Sequence, residues 1–189
     1  ALGQVSDETA RSLIVSFLTA HSQHPSLSSP STLEGLTALL AAKPEVAVTL
    51  PILSRIDHES AREAVDRHFQ AMDPKRDWDN GEYFEAWEAV RDGRARVAPL
   101  VDVAGARFLA GDYRMAPFLV LAGALAHPTL KTALASEVLD RRMAAVAILQ
   151  KQGREAVALL PLLRSLQPSE SYARAFLDAA IRDIAATQK

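Results

Sequence analysis

The chain has 189 residues, of which 49% are apolar and 23% charged, so it is long enough to bury a substantial core. Lys and Arg total 21 against 23 Asp and Glu, and the net charge of -2 supplies no excess positive potential for binding nucleic acid. The absence of cysteine excludes disulfides, thiolate catalysis and zinc sites with sulfur ligands.

The chain contains no continuous apolar run of the length that crosses a bilayer, so we expect a soluble protein without membrane insertion. Its first residue is Ala1 rather than Met, which is compatible with a processed N-terminus and with an export signal that has been removed. A cytoplasmic and an exported location both stay open, and the oligomeric state is not indicated.

Helix is expected almost throughout, because Ala (34 residues) and Leu (25 residues) dominate and apolar residues recur at spacings of three and four. We predict one all-α domain over residues 1–189. Its first part, residues 1–31, consists of a helix from Ser6 to Ala20 and a connector from His21 to Ser31 that is rich in serine and proline. Residues 32–189 form a body of antiparallel helices.

The body begins where Ser31 and Glu34 have the spacing of a capping box, which predicts a helix to Ala42. Pro44 opens a helix to Ile56, and Asp57 is predicted to cap the next helix, whose apolar side carries Val65 and Phe69. The charged stretch from Asp73 to Asn80 predicts a loop. A helix follows this loop and is predicted to end at Gly93. Further helices are predicted over Ala95–Leu109, Tyr113–Ala126, Leu130–Gln150 with a break near Leu139, Arg154–Leu166 and Glu170–Ala186.

Two distant segments of the chain are similar to each other. Glu45–Ile56 aligns without gaps to Glu155–Leu166, which places Pro51 opposite Pro161, and the pattern of a small residue, proline and two apolar residues recurs at Pro99 and Pro117. Proline inside a helix removes a backbone hydrogen bond, so this recurrence predicts a repeated bend. The alternative is that a chain rich in Ala and Leu aligns with itself because it uses few residue types.

The segment Arg141–Leu149, followed by Gly153–Leu163, resembles a HEAT-type helical repeat, in which two helices pair. The resemblance covers residues 140–186 and, less closely, 33–72, whereas Pro99 and Pro117 are too close together to be one repeat apart. It implies a HEAT-like or irregular α-solenoid, with a helical bundle as the alternative. It also implies a surface that binds another protein or a peptide segment.

Chemical motifs are sparse, and we predict no catalytic residue, no metal site and no cofactor. His21 and His24 share a connector but lack a third ligand, and the histidines have no zincin spacing. The acidic segment from Asp73 to Glu82 misses the calcium-loop pattern by one residue, since Gly81 stands at position 5 when Asp77 is position 1. The sequence therefore favours a protein without catalytic activity, with an enzyme as the alternative.

Aromatic residues concentrate around this acidic loop, where both tryptophans of the chain lie. Trp and Tyr are frequent anchors of protein interfaces, so the predicted binding residues are Trp78, Asp79, Tyr83 and Trp87. Phe84 and Trp87 are three residues apart on the predicted helix, and we expect both to pack inward. Trp78, in the polar loop, is then the better candidate for an interface.

Three functions are compatible with these sequence features. The first is a non-catalytic adaptor with a helical-repeat binding surface. The second is an enzyme or small-molecule-binding protein with a pocket inside a closed helical bundle, whose polar groups would come from His68, Glu85 or Asp102. The third is a structural subunit that completes a larger assembly and exposes an apolar terminal face.

Overall fold

The computed structural model describes residues 27, 29–42, 52–53, 55–73, 80–92 and 96–188, and these residues form helices, turns and short connections without a strand. The all-α prediction is therefore confirmed. The predicted helix from Ser6 to Ala20, most of the connector and most of the helix from Pro44 lie outside the described residues. The chain folds as two compact parts, unit 1 (Ala1–Leu100) and unit 2 (Val101–Lys189). One domain over the whole chain stays a prediction.

The described part of unit 1 is built around one amphipathic helix that two other elements cover. This helix packs against the helix before it and against a short 3-10 segment, Ala98–Leu100, and it buries an apolar stripe that ends at Phe69. Three α-helices of unit 1 have both ends within the described residues: α1 (Pro30–Ala42), α2 (Glu59–Gln70) and α3 (Asn80–Arg91).

Two predicted helix caps are wrong by one or two residues. Ser29, rather than Ser31, caps α1, because its Oγ accepts a hydrogen bond from the backbone N–H of Thr32 at 3.4 Å and Pro30 occupies the first helical position. His58, rather than Asp57, caps α2, because its Nδ1 accepts from the Ser60 N–H at 3.2 Å. Helix α1 begins earlier than predicted because a proline fits its first turn. Helix α2 is capped by His58 because the ring nitrogen can accept a hydrogen bond from a free N–H at the helix start.

Unit 2 consists of six α-helices joined by 3-10 segments and short loops. The predicted break near Leu139 is confirmed, since one helix ends at Leu134 and the next begins at Leu139. The predicted helix over Glu170–Ala186 is confirmed to within one residue. The α-helices are α4 (Val101–Leu109), α5 (Ala116–Ala122), α6 (His127–Leu134), α7 (Leu139–Gln152), α8 (Leu160–Ser165) and α9 (Ser171–Ala186).

The same sequence of elements occurs three times in unit 2: a helix, a glycine with positive φ, a 3-10 segment, and a helix with proline in its first turn. The glycines are Gly111 (φ 103°), Gly123 (φ 53°) and Gly153 (φ 59°). The 3-10 segments are Tyr113–Met115, Gly123–Ala126 and Gly153–Leu159, and the prolines are Pro117, Pro128 and Pro161.

The prediction that proline bends a continuous helix is wrong for unit 2. Pro117 and Pro161 lie in the first turn of α5 and α8, each directly after a 3-10 segment. A proline ring clashes with the carbonyl four residues earlier, whereas the first turn has no such intrahelical bond to lose. Pro99 lies in the 3-10 segment before α4, and Pro51 lies outside the described residues.

Helix α7 is the centre of unit 2, since it packs against α5, α6 and α9. At its C-terminal end, the Gln152 Nε2 donates to the carbonyls of Leu119 at 2.8 Å and Gly123 at 3.0 Å. The Gln150 amide donates to Asp183 on α9, and the first halves of α7 and α9 also meet. Helices α7 and α9 therefore run side by side in the same direction, as every second helix does in an antiparallel arrangement.

A charged cluster holds the connection between α4 and α5. Arg107 is buried on α4 and donates to Asp112 Oδ2 through Nε at 3.1 Å and Nη2 at 2.9 Å, while the Arg114 Nε donates to Oδ1 at 2.9 Å. The hydrogen bond from Arg114, with a further contribution from Arg107, lowers the pKa of Asp112 from 3.8 to about 2 although burial opposes the shift. Asp112 also accepts from the backbone N–H of Arg114, so it caps the 3-10 segment that follows.

Candidate binding site

Helix α3 carries two of the four predicted binding residues, Tyr83 and Trp87, and both are half-buried. Between them, Phe84 is exposed by 58%, and its ring lies 5.4 Å from the Tyr83 ring in an edge-to-face contact at 75°. We call Tyr83, Phe84 and Trp87 the α3 aromatic face. Trp78 and Asp79 lie outside the described residues, so their place beside this face stays a prediction.

The expectation that Phe84 packs inward is wrong. The buried side of α3 is formed by Ala86, Ala89 and Val90. With 3.6 residues per turn, Phe84 lies on roughly the opposite side of the helix, whereas Trp87 lies at the edge of the buried side. Spacing alone showed that Phe84 and Trp87 are neighbours, but small alanines rather than aromatic rings make the contact with the core.

The residues considered for metal or pocket chemistry lie on separate elements wherever the structure describes them. Within the described parts of the chain, no group of three or more His, Asp or Glu side chains could hold a metal ion. His58 caps α2, His68 is half-buried beside the Phe69 ring, and Asp102 is exposed on α4. Glu85 is on α3, but its side chain, like His21 and His24, lies outside the described residues.

Asp66 is the one buried carboxylate among the described residues of unit 1, and its surroundings are those of an ion pair. The Arg96 Nη1 donates to Asp66 Oδ2 at 3.0 Å, and its other terminal nitrogen binds Glu59. Burial raises the pKa of Asp66, and the nearby Arg96 partly offsets this effect. Arg96 binds one of the two carboxylate oxygens of Asp66, Oδ2, and so ties α2 to the segment before Ala98.

Unit 2 exposes a second pair of aromatic side chains, on α9. Tyr172 is exposed by 63% and Phe176 by 38%, and their spacing of four residues places them on the same side of the helix. The core contacts of α9 come from a different set of residues on a neighbouring side, Ala173, Leu177, Ala180 and Ile184. We call Tyr172 and Phe176 the α9 aromatic pair.

Beside this pair, unit 2 contains a cavity of about 250 Å³ where α7 and α9 begin. The loop after α6 and the loop before α9 close it on two sides. Its apolar walls include Leu134, Met143, Val146, Leu166 and Leu177, and its polar lining is Ser136, Arg142 and Gln167. Polar and apolar groups contribute about equally to the lining of the cavity, which is also open to solvent. Such a lining suits a small ligand, or one side chain of a partner, that has both polar and apolar parts.

Hydrogen bonds from three arginines fix the loops at this end of unit 2. Arg142 Nη1 donates to the carbonyls of Ser136 at 2.8 Å and Glu137 at 3.3 Å, and Arg141 Nη1 donates to the Ser136 Oγ at 3.1 Å. On the other loop, Arg174 Nη2 donates to the Pro168 carbonyl at 3.1 Å. The loops are therefore held in place by long side chains from α7 and α9.

Sequence reasoning missed both the cavity and the α9 aromatic pair. Arg141 and Arg142 stood in the segment that resembles a HEAT repeat, but nothing in their spacing showed which loop they would hold. A signal for the aromatic pair was present, because Tyr172 and Phe176 lie off the stripe of Ala173, Leu177, Ala180 and Ile184 that the period of 3.6 identifies as buried.

Comparison with known proteins adds no identification. No protein-family model matches the chain, and neither a curated protein nor a solved structure shows significant similarity to it. In the described parts of the chain, none of the helices combines the length and apolar content needed to cross a membrane.

Proposed function

We propose that this protein is a protein–protein interaction module built from HEAT-like helix pairs, and that its partner binds over the α9 aromatic pair. The observation that carries the proposal is the exposure of Tyr172 and Phe176 on a helix that already has a complete buried face. The exposed parts of the two rings, most of Tyr172 and about a third of Phe176, forgo the free energy that burying an aromatic side chain provides. Their burial by a partner would recover it.

Three features support the HEAT-like part of the proposal. The segment that resembles a HEAT repeat corresponds to α7 and to the 3-10 segment that leads into α8, so it contains a pair of consecutive helices. Helices α7 and α9 lie side by side in one direction, which is the arrangement of equivalent helices in neighbouring repeats. The order of helix, glycine, 3-10 segment and proline also recurs within unit 2.

The proposed contact is tested by placing a photo-crosslinking amino acid at position 172 and irradiating the protein in lysate from its source. Asp178 serves as the matched control position, because it is exposed on the same helix but lies on a different side from Tyr172. We expect a crosslinked protein from position 172 and none from position 178. Aromatic anchors of interfaces cost about 2 kcal/mol or more when truncated, so the partner should bind Tyr172→Ala at least about tenfold more weakly.

Substitutions on α3 test whether the partner binds the α3 aromatic face instead of α9. Phe84→Ala and Trp78→Ala are measured beside Tyr172→Ala and Phe176→Ala, with the circular dichroism spectrum as the control for folding. Loss of the partner only in the Phe84 and Trp78 variants would move the binding site to the α3 aromatic face and refute the role of α9. If no position yields a specific crosslink, the interaction module itself is refuted.

A further inference from the structure

The cavity at the start of α7 and α9 is lined by hydrogen-bonding groups and by apolar side chains in about equal measure. Arg142 contributes a guanidinium, of which only Nη1 takes part in the hydrogen bonds to the Ser136 and Glu137 carbonyls. The edge formed by Nε and Nη2 therefore keeps its donors, and this edge has the fork geometry that matches a carboxylate.

The Ser136 hydroxyl is a second hydrogen-bond donor, because its other contacts fill its acceptor positions. Its Oγ accepts from Arg141 Nη1 at 3.1 Å and from the backbone N–H of Val138 at 3.2 Å. A hydroxyl has two lone pairs and one hydrogen, so these two bonds fill its acceptor capacity and leave the hydrogen to be donated. Arg142 and Ser136 both line the cavity and both keep donors beyond these bonds, and an oxygen acceptor complements both.

The charge of Arg142 also acts on the carboxylate that the protein already has nearby. The pKa of Glu170 is lowered first by hydrogen bonds from the Ser169 side chain and from its own backbone N–H, and then by the positive charge of Arg142. Glu170 does not line the cavity, and the guanidinium is the ionised group that does.

From this arrangement we infer that the cavity is a binding site for a small amphipathic carboxylate, whose anionic group bonds to Arg142 and Ser136 and whose aliphatic part packs against Met143, Val146 and Leu177. Its volume of about 250 Å³ leaves room for a carboxylate with a short aliphatic tail, such as hexanoate. The inference does not rest on the proposed function, because neither Tyr172 nor Phe176 lines the cavity.

The test uses methionine methyl signals, because the chain has three methionines at informative positions. Met143 lines the cavity, Met115 is buried elsewhere in unit 2, and Met72 follows α2 in unit 1. Titration of the full chain, labelled with ¹³C at the methionine methyl groups, with hexanoate should shift the Met143 signal saturably and leave Met115 and Met72 unchanged. Hexan-1-ol and hexylamine are the matched ligands that lack the carboxylate.

Substitutions then separate the carboxylate contact from the shape of the cavity. Arg142→Gln should weaken hexanoate binding about tenfold or more, since it removes charge-assisted hydrogen bonds. Arg174→Gln is the control, because Arg174 also bonds to a loop carbonyl at this end but does not line the cavity. Ala135→Leu adds apolar volume at the cavity wall without changing a charge, and it should also abolish binding. An unchanged Met115 signal shows that each variant is folded.

Peptides distinguish the two sources of such a carboxylate. A short peptide that ends in leucine with a free carboxyl group is compared with the same peptide as the C-terminal amide and with hexanoate. Tighter binding of the free-acid peptide than of hexanoate identifies a protein C-terminus as the ligand, and the reverse identifies a free carboxylic acid. Equal shifts of Met143 by hexanoate and hexan-1-ol, or no shift of Met143 by any of them, would overturn the inference.

Discussion

The substitution Gly123→Ala tests how the connection between α5 and α6 is built. Gly123 ends α5 with φ 53° and ψ -127°, which side-chain-bearing residues rarely adopt. The Glu155 carboxylate lies over this glycine and accepts a hydrogen bond from the Ala124 N–H at 3.1 Å. A Cβ at position 123 would overlap the carboxylate, so the substitution strains the backbone and also displaces Glu155.

Gly153 provides a matched control for the size of each effect. It ends α7 with φ 59° and ψ -114°, nearly the conformation of Gly123, but the nearest atom to an added Cβ is Thr187 Cγ2 at 3.6 Å. Gly153→Ala therefore measures backbone strain alone, about 1–3 kcal/mol. Gly123→Ala should cost about 1 kcal/mol more, because it also breaks the hydrogen bond of an exposed carboxylate to a helix-start amide.

The assay is urea unfolding followed by circular dichroism at a wavelength that reports helix. Both tryptophans lie within unit 1, so tryptophan fluorescence reports the unfolding of that unit. A loss of helix signal without a change in fluorescence therefore reports the unfolding of unit 2. Glu155→Ala completes a thermodynamic cycle: in that background, Gly123→Ala should cost no more than Gly153→Ala does. Equal costs for the two glycines in the wild-type background would refute the role assigned to Glu155.

Two further substitutions test contacts in unit 2. Asp112→Asn should destabilise unit 2 by about 2 kcal/mol at neutral pH, the value of a pKa lowered from 3.8 to about 2 at 1.36 kcal/mol per unit. Ionised Asp112 stabilises unit 2 fully above pH 3.8, and this stabilisation is lost as the pH falls toward 2. Between these pH values, the unfolding midpoint of the variant should therefore depend less on pH than that of the wild type. Gly105→Ala should cost about 1–3 kcal/mol, because its Cβ would lie 2.5 Å from Thr129 Oγ1 where α4 meets α6. Thr129→Ala removes that atom and should relieve most of the cost, whereas an undiminished cost in the double variant would contradict a steric origin.

The periodic parts of the fold were predictable from sequence. The apolar stripe of α2 with Val65 and Phe69, the break before Leu139 and the extent of α9 all follow from the spacing of buried residues. Helix starts were less predictable, because several neighbouring residues could serve as caps and the choice depends on the backbone direction. Ser29 and His58 cap their helices, although the nearby Ser31 and Asp57 are also residue types that cap helices.

The exposed surfaces were not predictable to the same degree, and Phe84 shows why. Large aromatic residues are the ones usually placed in a core, and this preference placed Phe84 inside. The structure instead buries the small side chains of Ala86 and Ala89 and leaves Phe84 exposed. Sequence gives the spacing of residues around a helix, but it does not give which side of the helix another element covers.

The recurrence in unit 2 was hidden from gapless alignment for a simple geometric reason. Gly123 and Gly153 are 30 residues apart, whereas the prolines that follow them, Pro128 and Pro161, are 33 apart. The second 3-10 segment has seven residues and the first has four, and the three additional residues make one turn of 3-10 helix. An insertion of one whole turn returns the chain to the same direction, so the helices after it keep their faces: Leu130 and Leu163, each two residues after its proline, are both fully buried. Gapless alignment pairs Pro161 with Pro51, whereas the counterpart of Pro161 within unit 2 is Pro128, in the first turn of α6.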